Sequence, residues 1–339
     1  MTPPSAEALA LYRDSEVIDL HLDTFIWTRI FGYDMRRRHG KGLLGRHVYS
    51  HTDMPRALDA GLTGATWIVT TNPFRPQRNR REVFFRNLAR LEGILRSDER
   101  FSLCRNAADY DAARREGKHG AFIGVQGGNA LDHDLSDLDT LNERVLRITL
   151  VHLTSSLLGA TSAPAGRLMH RGEGLTDLGR EYVRACNANK IFVDLAHIGR
   201  KAFFDAHAVH DRSQPLLVTH TGVAGVYEHW RNVTDEQVRA VADTGGVVGV
   251  MFQADFLGRS GVDVDTIVDH IDHLIDVGGE ACPAIGTDYD GAITPPKDMP
   301  TPMSMPRLVD AMLRRGYSDD RVRRVLGLNA LETIRALRG

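Results

Sequence analysis

Short apolar runs recur along this chain, and each is followed by a polar segment and then by a stretch with helical periodicity. The runs are rich in β-branched residues and have the length of strands, and they lie at 15–20, 62–70, 120–126, 145–151, 190–195, 214–219, 245–251 and 282–287. Amphipathic patterns between them predict helices at 82–97, 176–189, 234–243 and 263–277. This alternation predicts an α/β fold, a (β/α)8 TIM barrel with terminal helices and long loops over its C-terminal face.

A doubly wound open sheet is the alternative fold for this alternation. It is less well supported because no glycine-rich phosphate fingerprint follows the first strand. The length of 339 residues suits one large barrel or two ordinary domains. No linker, repeat or low-complexity tract marks a boundary, so we predict that 1–339 forms a single domain.

Composition narrows the class of partner. The formal net charge is −2, so nothing favours nucleic acid or an anionic membrane surface, and we expect a small-molecule substrate. The N-terminus has no basic leader with an apolar segment, and no apolar run reaches membrane-spanning length. Cys104, Cys186 and Cys282 lack CxxC spacing, which makes a disulfide framework unexpected and indicates a reducing compartment. We therefore expect a cytoplasmic protein.

Three long loops carry features that the barrel pattern does not explain. Loops 28–51 and 71–81 are rich in arginine and would lie over the mouth of a barrel. Their charges favour either a positive rim that attracts an anionic substrate or, more simply, solvated loops or a subunit contact. The proline-rich loop 293–306 is either a stiff lid or a dimer surface.

The end of the first apolar run carries polar side chains at alternate positions. In a strand, Asp19, His21 and Asp23 all point to the same face. His21 and Asp23 together could bind one cation, so this segment is half of a metal site or, alternatively, a solvated strand end with a satisfied histidine.

Other predicted strands also end in polar residues, and 15 histidines prompt a search for further ligands. Because the carboxyl ends of barrel strands converge on one pocket, these residues are expected to lie together. They are Gln126, His152, His197, His220 and Asp288.

Seven segments and a tail, taken in order, resemble the membrane (renal) dipeptidase family, zinc dipeptidases of the amidohydrolase-like barrels. The matching segments are Asp19–Asp23, Gly124–Leu131, Thr149–His152, Val193–His197, Thr219–His220, Arg231–Val233, Gly286–Gly291 and Val325–Asn329. The resemblance implies a (β/α)8 barrel with two zinc ions and, as in that family, a homodimer.

The resemblance also implies roles for individual residues. His21 and Asp23 match ligands of one metal ion, and His197 and His220 match ligands of the other. A second set matches the residues around the substrate: His152 polarises the scissile carbonyl, Arg231 holds the substrate carboxylate, Asp288 acts as acid and base and is a possible ligand, and Tyr289 lies beside the substrate. A cation that activates water, a carboxylate that moves the proton and a guanidinium that matches a carboxylate form a coherent hydrolytic site.

This chain departs from the family at Gln126, where the family has a glutamate that bridges the two zinc ions. A neutral carboxamide leaves only Asp23 and Asp288 to balance two cations and a hydroxide, so Gln126 is a weak or absent ligand. Asn129 and Leu22 also replace the usual histidine and asparagine. A tolerated change in a two-metal enzyme, a single-metal or weak two-metal site, and loss of activity all remain open.

The sequence thus predicts a zinc-dependent hydrolase with one or two ions per subunit. It would cleave the amide bond of a dipeptide or of another small amide that bears a carboxylate. One alternative is a single-metal hydrolase or lyase that acts on a non-peptide metabolite. Another is a non-catalytic binding protein on the same barrel.

Overall fold

Nine parallel strands form one sheet within the described part of the chain. The computed structural model describes residues 3–40, 49–72, 75–164, 166 and 172–339. The strands are β1 Ile18–Leu22, β2 Gly64–Thr70, β3 Phe101–Leu103, β4 His119–Gln126, β5 Arg147–Thr149, β6 Phe192–Asp194, β7 Leu217–Thr221, β8 Val247–Val250 and β9 Pro283–Ile285. All eight predicted strands overlap observed ones.

Eight of these strands close into a barrel. The hydrogen-bonded order runs β1, β2, β4, β5, β6, β7, β8, β9, and β9 pairs with β1 to complete the ring. The predicted (β/α)8 barrel is therefore confirmed, and the open doubly wound sheet is wrong. Strand β3 lies outside the ring and pairs with the first residues of β4. This strand was not predicted because three residues are too short to show a periodic pattern.

Helices surround the barrel and supply its outer layer. They are α1 Ala6–Arg13, α2 Phe25–Phe31, α3 Met54–Asp59, α4 Gln77–Arg96, α5 Ala107–Arg115, α6 Leu138–Leu141, α7 Asp177–Ala188, α8 Arg200–Val209, α9 Asp235–Ala242, α10 Ala254–Leu257, α11 Val264–Gly278, α12 Met305–Arg314, α13 Asp319–Arg323 and α14 Asn329–Leu337. The four predicted helices correspond to α4, α7, α9 and α11. The side chain of Thr176 caps α7 by accepting a hydrogen bond from Gly179 N.

A π-helical turn, Arg324–Leu328, joins α13 to α14 and packs against the start of β1. A Cβ atom at Gly327 would lie 2.5 Å from the carbonyl oxygen of Glu16, so this contact requires glycine. The family-like segment Val325–Asn329 therefore contributes to closing the floor of the barrel at β1.

Burial of the barrel is nearly complete. The residues of β1, β2 and β4 are all buried, as expected for parallel strands covered on both faces. Cys104, Cys186 and Cys282 are buried and unpaired. Within the described part of the chain, no helix combines the length and apolar character needed to span a bilayer.

A buried histidine at the start of β4 provides a test of the packing. His119 accepts a hydrogen bond from Trp67 Nε1 at Nε2 (3.3 Å) and donates from Nδ1 to Leu62 O (2.8 Å). Burial lowers the pKa of His119 from 6.5 to about 4. The unfolded chain therefore binds this proton more readily, and the stabilisation is complete above pH 6.5 and lost as the pH falls toward 4.

We predict that His119→Gln reduces the acid sensitivity of the fold. Between pH 7.5 and 5, the variant should lose about 2 kcal/mol less unfolding free energy than the wild type, since its side chain takes up no proton. Urea unfolding at both pH values measures this difference. Equal losses in the two proteins would contradict the assigned shift.

Candidate metal centre

The carboxyl ends of β1 and β9 bring three of the predicted site residues together. His21 Nε2 lies 3.4 Å from Asp23 Oδ2 and 3.6 Å from Asp288 Oδ1. All three side chains are buried, and Thr70 Oγ1 donates a hydrogen bond to Asp23 Oδ1 at 2.7 Å. The carboxylates are thus held beside the imidazole at the barrel mouth.

The ends of β6 and β7 add two more imidazoles. The Nε2 atoms of His197 and His220 lie only 2.7 Å apart, so both nitrogens point at one spot. Potential ligand atoms of His21, His220 and Asp288 all lie within 4.8 Å of one another. The two predicted ligand pairs therefore form one compact cluster in which His220 is central.

Backbone irregularities accompany these side chains. The register of β1 against β2 shifts between Asp19 and Leu22, and that of β7 against β8 shifts between Val218 and Thr221. His197 and Asp288 adopt left-handed backbone conformations, with φ of 65° and 62°. Such conformations cost a non-glycine residue roughly 1–3 kcal/mol and concentrate at functional sites. His21 and His220 fall at the register shifts, which re-aim side chains.

Several buried polar atoms of the cluster lack a hydrogen-bond partner among the described residues. Buried polar atoms without a partner are rare in native proteins, so they indicate that a further group completes the site. The unpartnered atoms are His21 Nε2, Gln126 Oε1, His152 Nδ1, His197 Nδ1 and Arg231 Nε. Imidazole and carboxylate donors suit a divalent transition metal such as zinc, so the donor set fits a metal ion.

The electrostatics of the cluster favour uncharged imidazoles. Burial lowers the pKa of both His197 and His220 well below the ordinary histidine value, so their rings are neutral at pH 7 and able to bind a cation. Burial, followed by the charge of Asp23, raises the pKa of Asp288 well above that of an ordinary aspartate. Asp288 therefore accepts a proton more readily than an exposed carboxylate does.

Gln126 and His152 contact each other at the rim of the cluster. Gln126 Nε2 lies 2.7 Å from His152 Nε2, and because an amide nitrogen can only donate, the imidazole nitrogen accepts. Burial lowers the pKa of His152 to about 4, so the ring is neutral and carries its proton on Nδ1. Gln126 thus orients His152.

A charged network that the sequence did not predict lies directly below the cluster. Arg147 Nη1 donates to Asp194 Oδ2 at 2.8 Å, and Thr149 and Thr219 donate to the same oxygen. Arg147 Nη2 lies 2.7 Å from His21 Nδ1. Arg147 could have been found from the sequence as a lone arginine within an apolar run, where it alternates with Thr149. Such a residue faces the barrel interior and needs a buried partner.

Other polar residues of the predicted segments support the backbone. Asp19 accepts hydrogen bonds from the N–H and hydroxyl of Thr287, which joins β1 to the end of β9. Asp290 accepts from His51 N and Thr52 N and so fixes the loop before α3.

Tyr289 is fully buried, and its hydroxyl donates to Met299 O at 2.7 Å. This bond fixes the proline-rich loop 293–306 against the end of the barrel. Contact between Tyr289 and substrate stays a prediction, as does a lid or dimer role for that loop.

Arg231 lies beside the cluster at the end of a small cavity. It is 4% exposed, and its Nη2 donates to His220 O at 2.6 Å. The adjoining cavity measures about 160 Å³ and is also lined by Ser162, His197, Arg200 and Trp230. A buried guanidinium with an unpartnered Nε is therefore available to a ligand in this cavity.

Most arginines of loops 28–51 and 71–81 have acidic partners, which favours the interpretation as structural loops. The ion pairs are Arg36 and Arg37 with Asp34, Arg38 with Asp59, Arg80 with Asp132, and Arg81 with Asp137. Lys41 and Arg46 lie outside the described residues. Arg29 and Arg75 differ, because neither forms an ion pair within the described ranges, and both line a pocket with Thr70 at the end of β2. A positive rim stays a prediction.

A closed parallel barrel whose strand ends hold imidazoles and carboxylates defines a class, the metal-dependent hydrolases built on this fold. The chain belongs to the membrane dipeptidase family, peptidase family M19, whose family model matches residues 5–338. It is a metal-dependent, dipeptidase-like hydrolase.

Individual relatives agree with this membership. An uncharacterised protein in the pqqA 5′ region of Klebsiella pneumoniae is 31% identical over 262 residues, which cover 75% of this chain and 96% of that protein. The crystal structure of dipeptidase AC, a family M19 metallopeptidase, is 26% identical with a TM-score of 0.83 over 96% of this chain and 99% of that one. A Rhodobacter sphaeroides metallopeptidase bound to a phosphinate mimic of L-Ala-D-Ala is 25% identical with a TM-score of 0.83, covering 96% and 100% of the two chains.

We predict that His197→Ala and His220→Ala each lower the metal content of the purified protein by at least half, because each removes one of two converging nitrogens. Plasma emission spectroscopy after dialysis measures the bound metal. His207→Ala, on the outer helix α8, is the matched control and should retain the wild-type content. Unchanged metal in both centre variants would exclude these ligands.

Proposed function

We propose that this protein is a zinc-dependent dipeptidase that cleaves a small amide bearing a free carboxylate. The observation that carries this proposal is Arg231, a buried guanidinium beside the histidine cluster at the edge of a cavity of about 160 Å³. A cation in that position offers a carboxylate two parallel hydrogen bonds. The bound dipeptide mimic in the Rhodobacter sphaeroides relative supports the same substrate class.

Substrate binding begins with the carboxylate on Arg231. Because Nη2 is held by His220 O, the plane of the guanidinium is fixed relative to the strand that carries the central histidine. A substrate held by its carboxylate would therefore present its amide to the histidine cluster. The small volume of the cavity limits the size of the substrate residue that bears the carboxylate.

His152 is the group that we assign to the scissile carbonyl. Its Nε2 accepts from Gln126, and its Nδ1 proton has no partner in the described structure. This N–H is therefore free to donate to a carbonyl oxygen and to stabilise the negative charge that develops there. Gln126 contributes by keeping the proton on Nδ1.

Asp288 is the group that we assign to proton transfer. Its raised pKa allows it to take a proton from the attacking water and to pass it to the leaving amine near neutral pH. A bound zinc ion would polarise the carbonyl and make water a stronger acid. Asp288 is held for this role by the left-handed backbone at the end of β9.

The finer features of this proposal rest on separate observations. Zinc is favoured by the mixture of imidazole and carboxylate donors. A homodimer is consistent with exposed Ile30 and Phe31 on α2, and a cytoplasmic location with three unpaired buried thiols. Arg29 and Arg75 favour substrates with an anionic group on the side of β2.

A dipeptide panel tests the proposal directly. The zinc-loaded protein should release free amino acids from dipeptides, and it should not act on the same peptides with an amidated C-terminus because Arg231 then has no carboxylate to bind. Ninhydrin or mass spectrometry measures the products. Turnover of amidated peptides at the same rate, or of no dipeptide in the panel, would refute this function.

We predict that Arg231→Lys raises KM at least tenfold with a smaller effect on kcat. Lysine keeps the positive charge but loses the planar fork that pairs with a carboxylate. Arg200→Lys is the matched control, since Arg200 lines the same cavity but pairs with Glu236 at the surface. A native KM in Arg231→Lys would remove this residue from substrate recognition.

We predict that His152→Ala changes kcat rather than KM. Because its N–H is assigned to the developing oxyanion, the variant should lower kcat by about 100-fold or more and change KM little. Steady-state kinetics on the best dipeptide measures both constants. A variant with native kcat would contradict the assignment.

A further inference from the structure

Arg147 occupies an unusual position for an arginine, inside the barrel and directly behind a candidate metal ligand. The residue is 1% exposed. Its Nη1 is held by Asp194 and Thr149, while Nη2 faces Leu20 O at 3.2 Å and His21 Nδ1 at 2.7 Å. The guanidinium is thus fixed on both sides.

The donor and the acceptor in the contact between Arg147 and His21 follow from the chemistry of the two groups. A guanidinium has hydrogen-bond donors and no acceptor, so Nδ1 of His21 must accept. The proton of the neutral ring then sits on Nε2, which faces the carboxylates of Asp23 and Asp288. A metal ion needs a lone pair at that nitrogen, and the neutral ring has none there while Arg147 donates to the other nitrogen.

His220 has the opposite arrangement in the same cluster. Its Nδ1 lies 3.0 Å from Thr219 Oγ1, whose own proton goes to Asp194 at 2.8 Å. The hydroxyl oxygen therefore accepts from Nδ1–H of His220, which leaves an unprotonated Nε2 that faces His197 Nε2 at 2.7 Å. A hydrogen-bonded Nδ1–H is the usual support of a metal-binding histidine.

We propose that Arg147 restricts the centre to one metal ion, which is bound by His197 and His220 near Asp288. In this arrangement His21 is not a ligand. Its Nε2 keeps a proton that faces Asp23 Oδ2 at 3.4 Å and Asp288 Oδ1 at 3.6 Å, and Arg147 is the positioning residue that holds the ring in that state.

Gln126 provides a second, independent observation in favour of a single metal ion. Its amide nitrogen points at His152, and its unpartnered Oε1 is neutral, so it offers a second cation no negative charge. Asp23 and Asp288 are the carboxylates that approach the His21 nitrogen, and both are already within reach of its proton. A second ion would meet a protonated nitrogen and a neutral amide, which do not fit it.

The inference concerns the centre of the proposed hydrolase, and it is tested without substrate. Zinc content is to be measured by plasma mass spectrometry in four proteins: wild type, Gln126→Glu, Arg147→Met and the double variant. We expect about one zinc ion per chain in the first three and about two in the double variant, because a second ion needs both the freed lone pair and the added carboxylate. Two zinc ions in the wild type or in Gln126→Glu alone would overturn the proposal, as would one ion in the double variant.

A spectroscopic measurement on the wild type avoids any folding defect in the variants. Long-range ¹H–¹⁵N spectra of histidine-labelled protein distinguish a protonated from an unprotonated ring nitrogen. Zinc should shift the Nε2 signals of His197 and His220, whereas His21 should keep a protonated Nε2 and an unprotonated Nδ1. A zinc-shifted Nε2 of His21 would overturn the proposal even if no dipeptide were cleaved.

Arg147→Lys separates the contact from the charge. Lysine keeps a cation near Asp194 but lacks a second nitrogen to reach His21. Combined with Gln126→Glu, it should release His21 and raise zinc content as Arg147→Met does. A content that stays at one ion, with His21 Nε2 still protonated, would show that Arg147 does not act through this hydrogen bond.

Discussion

The buried ion pair between Arg147 and Asp194 is the interaction on which the rest of the site depends. One carboxylate oxygen accepts from Arg147, Thr149 and Thr219, which joins β5, β6 and β7, and the arginine continues to Leu20 O on β1. Removing one partner of a buried pair costs about 3–5 kcal/mol because the other charge is left uncompensated. The floor of the candidate metal centre is thus built from charges whose positions are fixed.

This network imposes different states on histidines that look equivalent in the sequence. Thr219, which donates to Asp194, accepts from Nδ1–H of His220, so that Nε2 of His220 is able to bind a cation. Arg147, which also donates to Asp194, donates to Nδ1 of His21. Gln126 orders His152 in the same manner at the rim. Arg231, the residue that we propose for substrate recognition, donates to the backbone of His220, so the proposed binding group and the histidine cluster share one rigid support.

The ends of the barrel strands could be predicted from the sequence. Apolar runs that close in His21, His197 and His220 identify both the barrel and its carboxyl face, because periodicity and burial are local properties of the chain. A lone arginine in an apolar run signals a buried partner, but the identity of that partner was not predictable, because Asp194 lies 47 residues away on β6. The left-handed backbone at His197 likewise follows from tertiary contacts that no local pattern records.

We propose that a metal ion binds where the side chains of His197 and His220 converge. Anomalous diffraction at the zinc edge, from crystals grown with excess zinc, locates bound zinc. We expect one strong anomalous peak within bonding distance of both Nε2 atoms and none at His21 Nε2. Two peaks of similar height, with one on His21 and Asp23, or no peak at the cluster, would contradict it.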